Sequence, residues 1–138
     1  MKDYSSTSNT PWFSFFNSIE HVYIDDGVTS IGDNSFSILG HLISVRIPSS
    51  ITSIGKHAFQ YCQKLSTVTI PEGVTTIGLQ AFSNCDSFET ITIPSSVTNL
   101  GQSPFGSCDK LTSIIVNSSN PTYTSEGGVL VDKVNNIF

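Results

Sequence analysis

The stretch IPSSITSIGKHAFQYC, residues Ile47 to Cys62, decides the fold because nearly the same string occurs twice more. It returns as IPEGVTTIGLQAFSNC from Ile70 and as IPSSVTNLGQSPFGSC from Ile93, so the three starts lie 23 residues apart. Read alone, His57 and Cys62 could be taken for a metal-binding or catalytic pair. The recurrence indicates instead that both residues belong to a repeated structural unit.

The same spacing aligns further columns of apolar residues and glycines along the 138-residue chain. Columns that keep one phase over most of a chain are a strong signal of a repeat protein. The clearest are Ile31, Ile54, Ile77 and Leu100; Gly32, Gly55, Gly78 and Gly101; and Phe36, Phe59, Phe82 and Phe105, with Phe13 extending the last column upstream. We expect one domain over 1–138, with an N-terminal cap or partial repeat (1–23), four repeats (24–115) and a divergent C-terminal unit (116–138).

Each unit contains the pattern of a β-strand. The segment LSTVTI is rich in β-branched residues and alternates apolar with polar positions, as a half-buried strand does. Val68 and Ile70 are therefore expected to point inward, whereas Thr67 and Thr69 are expected to point outward.

The rest of the unit shows where the chain bends. Pro48 ends the strand because proline cannot donate to a ladder, and a second extended piece, ITSI, follows. Gly55 then marks a turn. Phe59 and Cys62 lie three residues apart, so a short helical turn could bury both on one face. Since no unit can bury its apolar face alone, the units are expected to stack with strands about 4.8 Å apart.

The pattern I-P-x-x-V-T-x-I-G-x-x-A-F-x-x-C-x-x-L-x-x-I resembles the BspA-like leucine-rich repeat family, also called the Treponema pallidum type. The resemblance implies a repeat solenoid: a right-handed leucine-rich-repeat coil, mostly β with parallel sheets and short helical or 3-10 turns. The C-terminal stretch NPTYTSEGGVLVDK resembles a variant unit of the family, with Tyr123 in the isoleucine column and Gly128 in the phenylalanine column. We expect a strand over Val129 to Val131 that turns through Asn135 and Asn136 towards the C-terminus.

Composition excludes several classes of function. Only 12% of residues are charged, and the net charge is -5, so no basic stripe for nucleic acid exists. No run approaches the 18 or so apolar residues of a membrane span, which argues against membrane insertion. The N-terminal stretch MKDYSSTSNTPWF lacks the apolar core of a secretory signal, so no signal peptide is visible in the chain.

Cys62, Cys85 and Cys108 share one column, which indicates three buried free thiols. A disulfide and a metal site are the alternatives. Stacked parallel side chains do not easily reach the dihedral angle of a disulfide, and three cysteines are an odd count. A single line of sulfurs does not supply four converging zinc ligands.

We predict no catalytic, metal or cofactor site. The histidines, His21, His41 and His57, occupy three different positions of the repeat and are not expected to converge. The carboxylates are scattered, with no pair placed for acid–base chemistry. The glycines recur as turn residues, and no glycine-rich phosphate loop is present.

Any function is expected in the outward-facing strand positions, because repeat proteins bind through extended surfaces. Threonine is also a good exposed strand residue, so these columns could serve the fold alone. The candidate partner-binding residues on the sheet face are His21, Tyr23, Arg46, Thr67, Thr69, Glu89, Thr90 and Thr92.

The family resemblance implies a non-enzymatic recognition module for a protein or extracellular-matrix ligand. It further implies adhesion by a secreted or surface protein of a microbe or parasite, and an extracellular or cell-surface location. A structural spacer within a larger repeat protein and a glycan-binding module are the alternatives. Self-association through the ends of the solenoid also stays open.

Overall fold

The computed structural model describes residues 1–135 and forms a β-solenoid of short strands. Two 3-10 helices, Thr7–Asn9 and Phe13–Phe15, precede the first strand. The strands are β1 (His21–Tyr23), β2 (Ser30–Ile31), β3 (Ser44–Arg46), β4 (Ser53–Ile54), β5 (Thr76–Ile77), β6 (Thr90–Ile93), β7 (Asn99–Leu100), β8 (Ser113–Val116), β9 (Tyr123–Glu126) and β10 (Val129–Asp132). The columns in the sequence thus become a stack of coils, in which each 23-residue repeat makes one turn.

One side of the solenoid is a continuous parallel sheet in the order β2-β4-β5-β7. Its register pairs Ile31 with Ile54, Ile54 with Ile77, and Ile77 with Leu100. These residues form the isoleucine column of the sequence, and the first three are almost completely buried. The second extended piece of each repeat is therefore a strand, as the sequence predicts.

A second side carries the first strand of each repeat, but its sheet is interrupted. β1 pairs with β3, and β6 pairs with β8, all in parallel. Between these pairs, the predicted strand LSTVTI forms only an isolated bridge from Thr67 to Ser44. Its side chains face as predicted, with Ile70 buried and Thr67 and Thr69 exposed. The alternation of apolar and polar residues therefore predicts the directions of the side chains correctly, although the segment forms no continuous ladder.

The third side contains the phenylalanine-bearing stretch. A short helical turn was predicted here, but the stretch forms a series of turns instead. In repeat 47–69, the amides of His57, Phe59 and Tyr61 donate to carbonyls of the next coil at distances of 2.8 to 2.9 Å. His57 and Tyr61 have φ angles of 54° and 61°, in the left-handed region. Alternate amides that bond between coils cannot also form a run of helical bonds, so this side is a row of turns.

The left-handed positions lead to a stability prediction at Ile38, where φ is 58°. A β-branched residue is strained there, whereas asparagine tolerates this region, as Asn84 does in the same column with a φ of 58°. Ile38→Asn is therefore expected to raise the free energy of unfolding by about 1 kcal/mol in urea denaturation. Ile38→Val keeps the branched Cβ and is the control. An asparagine variant no more stable than the valine variant would contradict the prediction.

The core is a column of stacked aromatic rings. Phe36, Phe59, Phe82 and Phe105 follow one another at centroid distances of 5.2 to 5.9 Å, with interplanar angles of 5° to 19°. At the N-terminal end, Trp12 lies on Phe36 at 5.3 Å.

The prediction that Phe13 continues this column is wrong, because Phe13 stacks on Phe16 instead. The two 3-10 helices of the cap do not keep the 23-residue phase, and they place the indole of Trp12 one residue earlier over the end of the stack.

The C-terminal unit forms an antiparallel hairpin of β9 and β10. β10 contains the predicted strand Val129 to Val131 and extends it by one residue. Tyr123 fills the isoleucine column, and its phenolic oxygen accepts a hydrogen bond from the Leu100 amide at 3.0 Å. Of the predicted turn at Asn135 and Asn136, the second residue lies outside the described part of the chain.

Candidate functional site

The sheet face bearing β1 and β3 brings together the larger candidate residues. Their register places His21 opposite Ser44 and Tyr23 opposite Arg46. The His21 Nδ1 atom lies 2.8 Å from the Ser44 hydroxyl oxygen, within hydrogen-bonding distance. The Tyr23 side chain stands 74% exposed. His21, Tyr23 and Arg46 thus lie together on the two N-terminal strands of this face.

Arg46 is held in place at the edge of this face. Its guanidinium donates to the Ile24 carbonyl oxygen at 3.2 Å and to the Asp26 carboxylate at 3.2 Å. The ion pair is largely solvent-exposed, so its contribution to stability is small. Its effect is to orient the planar guanidinium next to Tyr23, its cross-strand neighbour. Sequence reasoning selected Arg46 and missed Asp26 as its partner.

The threonine-rich candidates lie at the interruption of the sheet. No backbone hydrogen bond joins segment 66–70 to segment 89–93 in the part of the chain that is described. The two segments instead border a groove of ≈ 360 Å³, whose lining includes Thr67, Glu89, Thr90 and Thr92. Thr69 is exposed close by but is not part of the lining.

We attribute the groove to Phe88, the residue that precedes the segment 89–93. The leucine column of the repeat reads Leu42, Leu65, Phe88 and Leu111, so this coil carries the larger side chain. Phe88 is fully buried and meets the Phe82 ring edge-on at 6.1 Å. We infer that this larger ring spreads the segments 66–70 and 89–93 apart. The exception in the column is visible in the sequence, whereas the groove beside it is visible only in the stacked coils.

The cysteine column forms a ladder of weak hydrogen bonds inside the solenoid. The thiols of Cys62, Cys85 and Cys108 donate to the carbonyls of Phe36, Phe59 and Phe82 at 3.2 to 3.3 Å. Burial raises the pKa of each thiol, since the thiolate would lose its hydration. All three are free, but only the first two are fully buried. The prediction of buried free thiols is therefore confirmed for two, and Cys108 is half-buried.

Glu72 connects the turns of two adjacent coils through hydrogen bonds. The Glu72 carboxylate accepts hydrogen bonds from the Ser95 amide at 3.2 Å, the Ser95 hydroxyl at 3.0 Å and the Ser96 amide at 3.3 Å. Hydrogen bonding from the Ser95 amide, followed by weaker bonds from the same serines, lowers the pKa of Glu72. Glu72 thus has a structural role, because it bonds to a serine 23 residues later in the next coil. This role was not identified from the sequence.

The three histidines lie on separate parts of the repeat. His21 is on β1, His57 is in the phenylalanine-bearing turn, and His41 precedes β3, where it accepts a hydrogen bond from Lys64 at 3.2 Å. Among residues 1–135, no three His, Cys, Asp or Glu side chains lie together in a way that could hold a metal ion. Over the same residues, no helix has the length and hydropathy needed to cross a membrane.

This geometry defines a class of protein: a β-solenoid of stacked 23-residue repeats with an extended sheet face. A family model described as BspA type leucine rich repeat region, in six copies, matches residues 7–126. The chain belongs to this family, which confirms the resemblance inferred from its repeat pattern.

Solved structures of bacterial repeat proteins are similar to the chain. A leucine-rich repeat protein from Eubacterium ventriosum has 29% identity and a TM-score of 0.75, over 96% of this chain and 41% of that protein. The T. pallidum leucine rich repeat protein has 30% identity and a TM-score of 0.69, over 70% and 45%. A leucine rich cell surface protein from Faecalibacterium prausnitzii has 29% identity and a TM-score of 0.68, over 90% and 40%.

The chain thus spans less than half the length of these three proteins. No curated protein matches it.

Proposed function

We propose that the chain is a non-enzymatic recognition module that binds a protein or extracellular-matrix ligand through its interrupted sheet face. The observation that carries the proposal is the arrangement of the candidates. Tyr23 and Arg46 stand side by side at one end of the face, and the groove lined by Thr67 and Thr90 lies further along it. A single extended ligand can contact both.

The paired side chains have the chemistry of a binding hot spot. Tyrosine and arginine are enriched among the residues that dominate interface energies. Tyr23 offers a large apolar ring with a polar tip, and it loses little conformational entropy when bound. Arg46 offers a guanidinium already oriented by Asp26 at 3.2 Å, which suits a carboxylate or a backbone carbonyl of the ligand.

The groove adds polar recognition. The edges of segments 66–70 and 89–93 that face each other keep backbone groups unpaired, so a ligand can hydrogen-bond to them. The hydroxyls of Thr67, Thr90 and Thr92 and the carboxylate of Glu89 stand exposed around it. Such a mixture of hydroxyl groups and one charge favours a polypeptide ligand over an apolar small molecule.

The location and biological setting are part of the same proposal. The similar protein from Faecalibacterium prausnitzii is described as a leucine rich cell surface protein. We propose that this chain likewise acts outside the cell or at its surface, where the ligand-binding face would serve adhesion. A module of this kind needs no catalytic group, in keeping with the dispersed positions of its histidines.

The test is retention of an extracellular-matrix extract on the immobilised chain. Replacing Tyr23 and Arg46 together by alanine is expected to weaken retention of the bound component about tenfold or more. Tyr61→Asn is the matched control, since it removes another exposed tyrosine, 46% accessible, from the turn side of the solenoid. Asparagine suits its φ of 61°.

Equal retention by wild type and the double variant would show that this face is not the binding site. If neither retains any component, the chain behaves as a structural spacer. Binding only to free, protein-depleted oligosaccharides would favour the glycan-binding alternative. That alternative has little support, because among the described residues Tyr23 is the single Phe, Tyr or Trp on this face.

A further inference from the structure

The turn side of the solenoid has a chemical polarity along its axis. Within the stack, three alternate amides of a coil donate to carbonyls of the following coil. Three alternate carbonyls of the same coil accept from amides of the preceding coil. The amides of Gln80, Phe82 and Asn84, for example, donate to carbonyls of the following coil at 2.8 to 3.1 Å. One end of the stack must therefore present unpaired acceptors, and the other must present unpaired donors.

The acceptor end is covered by the N-terminal cap. The Tyr4 amide donates to the Asp33 carbonyl at 3.0 Å, and the Trp12 indole donates to the Ser35 carbonyl at 2.8 Å. The indole also covers the first ring of the stack, Phe36, at 5.3 Å. The cap thus supplies two of the three donors, and the aromatic ring, that a preceding coil would supply.

The donor end is left open. Over residues 1–135, the amides of Ser103, Phe105 and Ser107 have no acceptor. The hairpin covers the neighbouring sides, because Tyr123 bonds to Leu100 and the Ile114 amide donates to the Gly128 carbonyl at 2.8 Å.

Gly128, however, stands where the repeat would place the next phenylalanine, and among residues 1–135 no aromatic ring stacks on Phe105 on that side. The result is a cavity of ≈ 650 Å³ beside the amides of Ser103 and Phe105, lined mostly by apolar side chains, including Leu111, Ile114 and Leu130.

We propose that this C-terminal cavity is a second binding site, which takes an extended segment of a partner protein with a phenylalanine between two small residues. The phenylalanine ring stacks on Phe105, as the rings within the solenoid do at 5.2 to 5.9 Å. Three carbonyls of the segment accept from Ser103, Phe105 and Ser107. The small neighbours are required because the residues that flank Phe82, Ala81 and Ser83, are themselves buried.

A second copy of the chain fits this site less well. Its own acceptor end is already occupied by Tyr4 and Trp12. Among residues 1–135, the most exposed phenylalanine is Phe15, which is 63% accessible but is followed by Phe16, whose ring is larger than the small residue that the site requires.

The probe is an acetylated and amidated peptide, LQAFSN, which reproduces residues 79–84 of the chain. In the solenoid this segment presents its carbonyls at residues 79, 81 and 83 to the preceding coil. Titrated into the ¹⁵N-labelled chain, it is expected to move the amide proton signals of Ser103, Phe105 and Ser107 downfield. The signals of His57, Phe59 and Tyr61 are the internal control, since their amides are already bonded.

The peptide LQAASN is expected to bind at least about tenfold more weakly, because it lacks the ring. Absence of shifts at the three amides, equal binding of both peptides, or shifts confined to the sheet face would each overturn the proposal. So would slow hydrogen exchange of the three amides in the dilute free chain, because the chain would then cover its own end. Shifts that depend on protein concentration without peptide would assign the cavity to a second copy.

Discussion

Replacing Gly78 by alanine is expected to lower the free energy of unfolding by about 3 kcal/mol. A Cβ atom at this position would lie 2.6 Å from the Lys56 backbone nitrogen and 2.7 Å from the Gly55 carbonyl carbon. Both atoms belong to the backbone of the preceding coil and cannot rotate away. To admit a methyl group, the two coils would have to separate, and the hydrogen bond from the Gly78 amide to the Ile54 carbonyl at 2.8 Å would lengthen.

Gly40→Ala is the matched control for this substitution. Its Cβ atom would meet only the end of the Gln63 side chain, at 3.7 Å, which is ordinary van der Waals contact. The control is expected to change the free energy of unfolding by about 0.5 kcal/mol or less. Urea denaturation followed by circular dichroism compares the two variants with wild type. Equal stability of Gly78→Ala and Gly40→Ala would show that coil spacing does not require the glycine.

The glycine column shows what repetition alone can predict. The recurrence at 23-residue spacing predicted a structural role for Gly55 and Gly78, and that role is confirmed. The predicted reason was a turn conformation, yet neither residue has a positive φ. The column is needed because the backbone of one coil approaches the next too closely for a Cβ atom. Contact between coils is a property of the stack, so it is not visible in a single unit.

In the candidate site, too, features of a single segment could be predicted from sequence, whereas features that depend on two stacked coils could not. Alternation within LSTVTI predicted that Thr67 and Thr69 face outward, because side-chain direction is a local property of an extended chain. The groove beside Thr67 depends on the distance between two coils, which is a property of the stack and not of one segment. Similarly, Trp12 at the N-terminal end lies outside the repeat phase, so the periodicity could not identify it.

The unpaired amides at the C-terminal end of the stack could not be predicted from the repeat pattern alone. That Gly128 interrupts the phenylalanine column was visible in the sequence, but the free amides beside it were not. They follow from the left-handed conformation of Ser103 and Ser107, with φ angles of 48° and 54°. Neither residue type requires that conformation. The stacking of coils selects it, because alternate amides must point along the solenoid axis to reach the next coil.

Replacing Phe82 by alanine is expected to have the largest effect of all, a loss of about 4 kcal/mol in the free energy of unfolding. Phe82 is fully buried in the middle of the aromatic stack. Its ring lies 5.2 Å from that of Phe59 and 5.9 Å from that of Phe105, and it meets Phe88 edge-on. The substitution removes all three ring contacts and leaves a cavity that the hydrogen-bonded coils on either side cannot collapse to fill.

Phe15→Ala is the control, because the Phe15 ring is 63% exposed in the N-terminal cap. It is expected to lower the free energy of unfolding by less than about 1 kcal/mol in the same urea titration. A loss at Phe82 no greater than that at Phe15 would contradict the view that the stack holds the coils together. A large loss has a further consequence, since every coil contacts only its neighbours. Removing one interior ring then uncouples the N-terminal coils, which carry Tyr23 and Arg46, from the C-terminal coil that carries the open cavity.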